Sequence, residues 1–207
     1  MDDGDAAHGE RAIEAARRAG RIKLVLLFVL FSLPVIASYT AYYLLPPAGK
    51  TNYGDLIEPQ RDLPAVEAQG LDGRALPLQG LRGKWLLLTV DDASCARACA
   101  DKLWMMRQVR LTTGRERDRI ERIWLVADSG NVRPELLAEY EGTVVARIDP
   151  ARLREALPVD AAAGTALSDH VFVVDPLGHV MMRFPRQADP QRVKKDIAKL
   201  LKASRIG

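Results

Sequence analysis

The chain carries two cysteines, Cys95 and Cys99, set four apart within Thr89-Val-Asp-Asp-Ala-Ser-Cys-Ala-Arg-Ala-Cys-Ala100. Thiols at this spacing can do two kinds of chemistry. If the segment is helical, both sulfurs fall on one face with α-carbons about 6 Å apart. That separation admits a disulfide or a shared soft metal ion. The partial positive charge of a helix start favours thiolate over thiol, and Arg97 adds to that field. A static bridge or two core thiols is the plainer alternative. Two cysteines are too few to staple a small scaffold, but they suffice for one redox or metal pair.

The flanking segments must position that pair. Gly83-Lys-Trp-Leu-Leu-Leu-Thr-Val90 is an apolar run opened by glycine and predicts a buried strand. Lys102–Leu111 places Leu103, Met106 and Val109 near helical spacing. The cysteines are therefore expected in a strand-to-helix loop, with Trp85 and Trp104 in the core. Ahead of it, residues 70–73 and 76–80 predict a turn and an edge strand. Beyond it, residues 112–119 are charged and exposed, and Ile120–Ala127 predicts a second core strand. Arg107, Arg110, Arg115, Arg117, Arg119 and Arg122 are expected as a solvated face, with docking of an acidic partner as the alternative. Pro134 opens a helix at its first position, Thr143–Arg147 is a strand, and residues 151–157 make one or two helical turns. Val171–Val174 and Val180–Phe184 form a hairpin around Asp175-Pro-Leu-Gly178. Asp189 caps a terminal amphipathic helix that runs to Lys202. His8 and His179 are expected to be solvated.

Residues 1–23 balance basic against acidic side chains and predict a mostly disordered tail that becomes helical next to a membrane. Residues 24–45 carry no charge. Their length matches the roughly 20 residues that cross a bilayer, with Pro34 a kink and Tyr39, Tyr42 and Tyr43 toward the far interface. Arg17, Arg18, Arg21 and Lys23 precede the span, whereas the first basic residue after it is Lys50. The positive-inside rule then puts the N-terminus in the cytoplasm and the rest in the periplasm or its equivalent. A cleaved signal peptide is the competing reading, disfavoured because the apolar run exceeds an ordinary h-region. Residues 46–62 are expected as a linker and residues 63–207 as one domain. A net charge of +3, from 30 basic and 27 acidic residues, gives no reason to expect nucleic acid.

The order strand, cysteine loop, helix, strand, helix, strand, hairpin and helix predicts an α/β, thioredoxin-like domain behind a single N-terminal transmembrane helix. Within that order, Cys95-Ala-Arg-Ala-Cys99 after Gly83-Lys84, then Asp169-His170 and Asp175-Pro-Leu-Gly178, resembles the Sco/SenC family of copper-binding cytochrome oxidase assembly proteins. The likeness runs from about Leu63 to Leu201. By that resemblance Cys95, Cys99 and His170 are expected as ligands of copper, Cu(I) or Cu(II). The implied partners are the membrane and either a terminal oxidase subunit with a copper site or another copper chaperone. The family's prolines after each cysteine are Ala96 and Ala100 here, and its aromatic, glycine-rich lead-in is Thr89-Val-Asp-Asp-Ala-Ser94. The soft thiolates independently suit Cu(I), and an imidazole completes a trigonal set. A thiol-disulfide reductase, with Cys95 attacking and Cys99 resolving, and a non-catalytic assembly scaffold with a static disulfide remain open.

Overall fold

The computed structural model describes residues 3–44, 51–159 and 164–206. The chain divides into two units, Met1–Lys50 and Thr51–Gly207.

The first unit is one helix, α1 (Asp3–Leu44), with Pro34 inside it. Its stretch Gly20–Leu44 is long and apolar enough to cross a membrane. The polar tail expected to be mostly disordered is thus helical from Asp3. Once the apolar stretch has nucleated a helix, each added residue gains a backbone hydrogen bond, and Ala, Glu and Arg are good helix formers. Leu45–Lys50, the end of the expected span and the start of the expected linker, lie outside the described residues.

The second unit runs β1 (Asp55–Asp62), β2 (Glu67–Gly70), β3 (Ala75–Pro77), β4 (Trp85–Asp91), α2 (Arg97–Thr112), β5 (Ile120–Val126), α3 (Pro134–Glu139), β6 (Thr143–Arg147), β7 (Val171–Val174), β8 (His179–Phe184) and α4 (Pro190–Ala203). One mixed sheet holds all eight strands in the order β1-β8-β7-β4-β5-β6-β2-β3. β4 lies parallel to β5 and β5 to β6, while β7 runs antiparallel to β4. The apolar run of β4 is explained by its place: Trp85 to Val90 are all buried, because both faces of the central sheet are covered. On one face Leu87, Val171, Val173 and Phe184 pack against Met105, Met106 and Val109 of α2 and Val193, Ile197 and Leu201 of α4. On the other, Leu86, Leu88 and Phe172 meet Leu63, Leu78, Leu153 and Leu157.

Three expectations need correction. Residues 55–62 are not linker but the edge strand β1, paired antiparallel to β8. Its charges and Pro59 hide it, yet an edge strand tolerates both. Trp104 is 47% exposed rather than core, because α2 turns Leu103, Met105 and Met106 inward. Arg122 belongs to no solvated face: it is 3% exposed, and its Nη2 donates to the Glu141 carbonyl at 2.6 Å. Burial, then Arg110 and Arg107, push its guanidinium below its ordinary range.

Candidate functional site

β4 ends at Asp91, and the chain turns through Asp92-Ala-Ser-Cys95 before α2 begins at Arg97. The Cys95 amide donates to the Asp92 carbonyl at 3.0 Å, and the Ala93 amide donates to Asp128 Oδ1 at 3.0 Å. Asp128 also receives the Gly130 amide. A Cβ on Gly130 would stand 3.1 Å from that of Ala93, so this neighbour of the cysteine turn has to be small. Cys95 takes a φ of +40°, and it is the non-glycine residue in the left-handed region among the described residues. Cys95 and Cys99 form a disulfide with α-carbons 5.0 Å apart. It sits in a small core with Ala93, Leu103, Trp124, Leu136 and Tyr140, and neither cysteine is more than 4% exposed.

α2 starts five residues before its expected boundary at Lys102, so Cys99 lies in its first turn. Ala96, at the N-cap, offers no side-chain acceptor, which leaves the positive end of the helix uncapped by any side chain beside the sulfurs. Arg97 contributes less than expected: its side chain is 91% exposed and pairs with Asp101.

His170 is buried at the entrance to β7. β7 lies beside β4 with Val171 opposite Thr89, so the histidine falls next to the strand end that leads to Cys95. Its Nδ1 lies 2.9 Å from the Phe184 carbonyl. A carbonyl can only accept, so Nδ1 carries the proton and Nε2 is the nitrogen left to meet a ligand. That Nε2 is buried without a hydrogen-bond partner. Asp169, beside it, holds the turn by accepting from the Ala166 amide and pairing with Arg186. His179 is bound at the hairpin by Asp175, 2.9 Å away, and is not part of this site.

Sequence reasoning missed the charged pair that joins α2 to the end of β4. Lys102 of α2 and Asp91 at the end of β4 are 6% and 13% exposed, with Nζ and Oδ2 2.5 Å apart. Lys102 also donates to the Ser168 carbonyl, two residues before His170. Thr89 Oγ1 lies 3.3 Å from both Asp91 Oδ2 and the His170 carbonyl. Burial raises the Asp91 carboxyl above the usual carboxylate range despite Lys102. The one available signal was the helical spacing of Lys102 from Cys99. A cleft of about 510 Å³ opens beside Asp91, lined by Asp92, Arg154, Leu157 and Leu167. A second, of about 530 Å³, is lined by Lys102, Arg97, Met105 and Arg186.

The arrangement can cycle between disulfide and dithiol, and the dithiol state offers two sulfurs as soft donors. With the sulfurs bonded to each other, no group of three His, Cys, Asp or Glu side chains among the described residues stands ready to hold a metal ion.

Residues 85–204 match the profile of a family described as a transmembrane-like, thioredoxin-like, C-terminal domain. Among solved structures, the apo Sco1 protein of Thermus thermophilus is 18% identical, with 75% of this chain and 98% of that one covered at a TM-score of 0.52. Copper-bound yeast Sco1 is 16% identical, covering 75% and 96% at 0.50. A thiol:disulfide interchange protein from Bacteroides sp. is 13% identical, covering 70% and 91% at 0.51. At these identities the likeness is one of fold. Among curated proteins the sequence finds no match.

Proposed function

We propose that this chain, a member of the transmembrane-like, thioredoxin-like C-terminal domain family, is a membrane-anchored copper chaperone. Its cargo is destined for the copper site of a respiratory cytochrome c oxidase, the role implied by its resemblance to Sco/SenC proteins. The observation that carries the reading is His170: a buried ring fixed through Nδ1, its Nε2 unpartnered, at the strand end beside the cysteine turn. A buried acceptor without a partner is costly, and a soft cation is one partner that would relieve it. Once the disulfide is opened, Cys95 and Cys99 supply two thiolates, and with His170 they make an S₂N donor set suited to Cu(I). The protein's own contribution is to orient the imidazole, keep water from the thiolates and favour their ionised form at the helix start. The copper-bound state of yeast Sco1, on the same fold, supports this reading.

The test is copper stoichiometry on the full-length chain in detergent, reduced and loaded anaerobically with Cu(I). Stoichiometric copper is expected, abolished in Cys95→Ser and Cys99→Ser and weakened in His170→Ala. Copper-free protein after loading would overturn the assignment. A second reading rests on the disulfide itself: a thiol-disulfide reductase in which the Cys95 thiolate attacks a partner disulfide and Cys99 resolves the mixed species, ending as the bridge seen here. A trapped mixed disulfide in Cys99→Ser, together with no copper binding, would select it. If neither activity is found, the static scaffold is what stands.

A further inference from the structure

We propose that Trp124 donates a hydrogen bond from its indole Nε1 to a sulfur of the opened Cys95–Cys99 pair, and so favours the reduced state. This rests on the reading above only in that the pair must open and close.

β5 carries Trp124 between the parallel strands β4 and β6, opposite Thr89 and Val145. Side chains alternate across a strand, so Trp124 and Val126 share one sheet face. Both pack in the small core that holds Cys95 and Cys99. Trp124 is 1% exposed, and its Nε1 is buried without a hydrogen-bond partner. An indole N–H can only donate, and a buried tryptophan ordinarily finds it an acceptor, because leaving it unpaired is costly.

The side chains of this core narrow the choice of acceptor. Ala93, Leu103, Val126 and Leu136 have none to offer, which leaves the two sulfurs and Tyr140 Oη. The Tyr140 hydroxyl is turned to α2, where it donates to the Ala100 carbonyl at 3.3 Å. While the sulfurs are bonded to each other they carry no charge and are weak acceptors. A thiolate is a far stronger one, since a hydrogen bond to an ionised group is roughly twice as strong as a neutral one. Opening the bridge therefore creates the acceptor that the indole lacks. The Trp85 indole is unpartnered as well, but it packs with Leu87, Met105 and Ile120 in a core without a cysteine, which makes it an internal reference.

With glutathione as reductant, one glutathione thiolate attacks a sulfur of the pair, the S–S bond breaks, and the other sulfur leaves as a thiolate. A second glutathione thiolate attacks the glutathione sulfur of the mixed disulfide, and the remaining protein sulfur leaves. Two electrons have passed to the pair, glutathione disulfide is the product, and the protein thiolates take up protons from solvent according to pH. The Trp124 N–H holds charge on a departing sulfur and so lowers the energy of the reduced state alone. In Trp124→Phe that donor is gone, whereas the packing lost with the smaller ring is lost in both states. The equilibrium constant for reduction is expected to fall about tenfold, roughly 30 mV to lower potential for a two-electron couple.

The experiment has two arms, both on the full-length protein in detergent. Isotope-labelled at its three tryptophans, the chain gives one indole N–H signal each for Trp85, Trp104 and Trp124 in a heteronuclear NMR spectrum, assigned by single Trp→Phe variants. On reduction the Trp124 signal is expected to move downfield as its N–H gains an acceptor, with the Trp85 signal unmoved. In the second arm, wild type, Trp124→Phe and Tyr140→Phe are equilibrated with graded ratios of reduced to oxidised glutathione, the thiols are trapped and the reduced fraction is read. The expected midpoint is lower in Trp124→Phe and near wild type in Tyr140→Phe. A Trp124 signal that stays in place on reduction, or an unchanged midpoint in Trp124→Phe, would overturn the inference while leaving the proposed function standing. A midpoint shifted as far in Tyr140→Phe would trace the effect to loosened packing and overturn it too. A wild-type disulfide that no glutathione ratio reduces would overturn both readings that need it to open, and this inference with them. Should Trp124→Phe fail to fold, the signal is assigned from the Trp85→Phe and Trp104→Phe variants, and its shift on reduction decides alone.

Discussion

Cys95 holds a backbone conformation that its residue type disfavours. A left-handed φ brings the Cβ of an L-residue against the backbone at a cost of roughly 1–2 kcal/mol. Here the turn bond from Cys95 to Asp92 and the anchor from Ala93 to Asp128 hold the segment that leads into it. Such strain persists only where its surroundings over-determine it, and it collects at functional turns. In a background where Cys99→Ala has already removed the bridge, Cys95→Gly is expected to be more stable than Cys95→Ala by about 1 kcal/mol, because glycine takes positive φ without penalty. Urea unfolding of the two double variants measures it, and equal midpoints would show that the turn relaxes once the bridge is gone. At this scale the sequence showed the sulfurs and His170 plainly, since few residue types can do their chemistry. It did not show Lys102, Asp91 or Asp128. Charged residues are common on surfaces, and what singles these three out is tertiary: α2 packed on the sheet brings Lys102 to Asp91, and β4 beside β5 brings the exposed Asp128 to the Ala93 amide, which no local pattern encodes.

The β7–β8 hairpin shows how an element can be tuned by one titrating group. Asp175 accepts from the Leu177 and His179 amides and binds His179 Nδ1, closing a turn whose Gly178 has a φ of +97°. The hydrogen bond to Asp175, then its charge, raise the His179 imidazole above 6.5. A histidine whose folded pKa is raised gives stability that is full below its unfolded pKa and is lost as pH rises through the folded one. The wild type is therefore expected to unfold at a higher temperature than His179→Gln at about pH 5.5, with the gap narrowing by about pH 8.5. The side chain is one-third exposed, so the gap is modest. A gap independent of pH would show that the turn's amide bonds, not the imidazolium, do the holding. This hairpin was legible from its proline, glycine and flanking apolar runs, as were β4, β5 and α4 from theirs. β1 was not, because an edge strand needs neither alternation nor a proline-free run. Arg122 was misplaced because one arginine inside a core strand looks, in sequence, like the arginines around it.

At the scale of the whole chain, the apolar stretch Gly20–Leu44 gives the second unit a two-dimensional address. A carrier that meets a membrane enzyme on the same surface gains effective concentration without any new contact. That gain is useful only if the disulfide and its partner lie on the same side. The side we propose rests on charge: Arg17, Arg18, Arg21 and Lys23 precede the stretch, and basic residues near a span favour the cytoplasmic face. The compartment then matters to the sulfur chemistry, because disulfides persist in oxidising spaces and are reduced in the cytosol. Under the proposed function and orientation, the Cys95–Cys99 bridge would have to be reduced in that oxidising space before it could take up a soft metal. Alkaline phosphatase fused after Gly207 is accordingly expected to be active in cells. Replacing the four basic residues with glutamine should lower that activity by letting a fraction of chains insert in reverse. An inactive phosphatase fusion that is nonetheless membrane-bound would put the disulfide in a reducing compartment, and it would sink the chaperone's link to a site on the far side of the membrane.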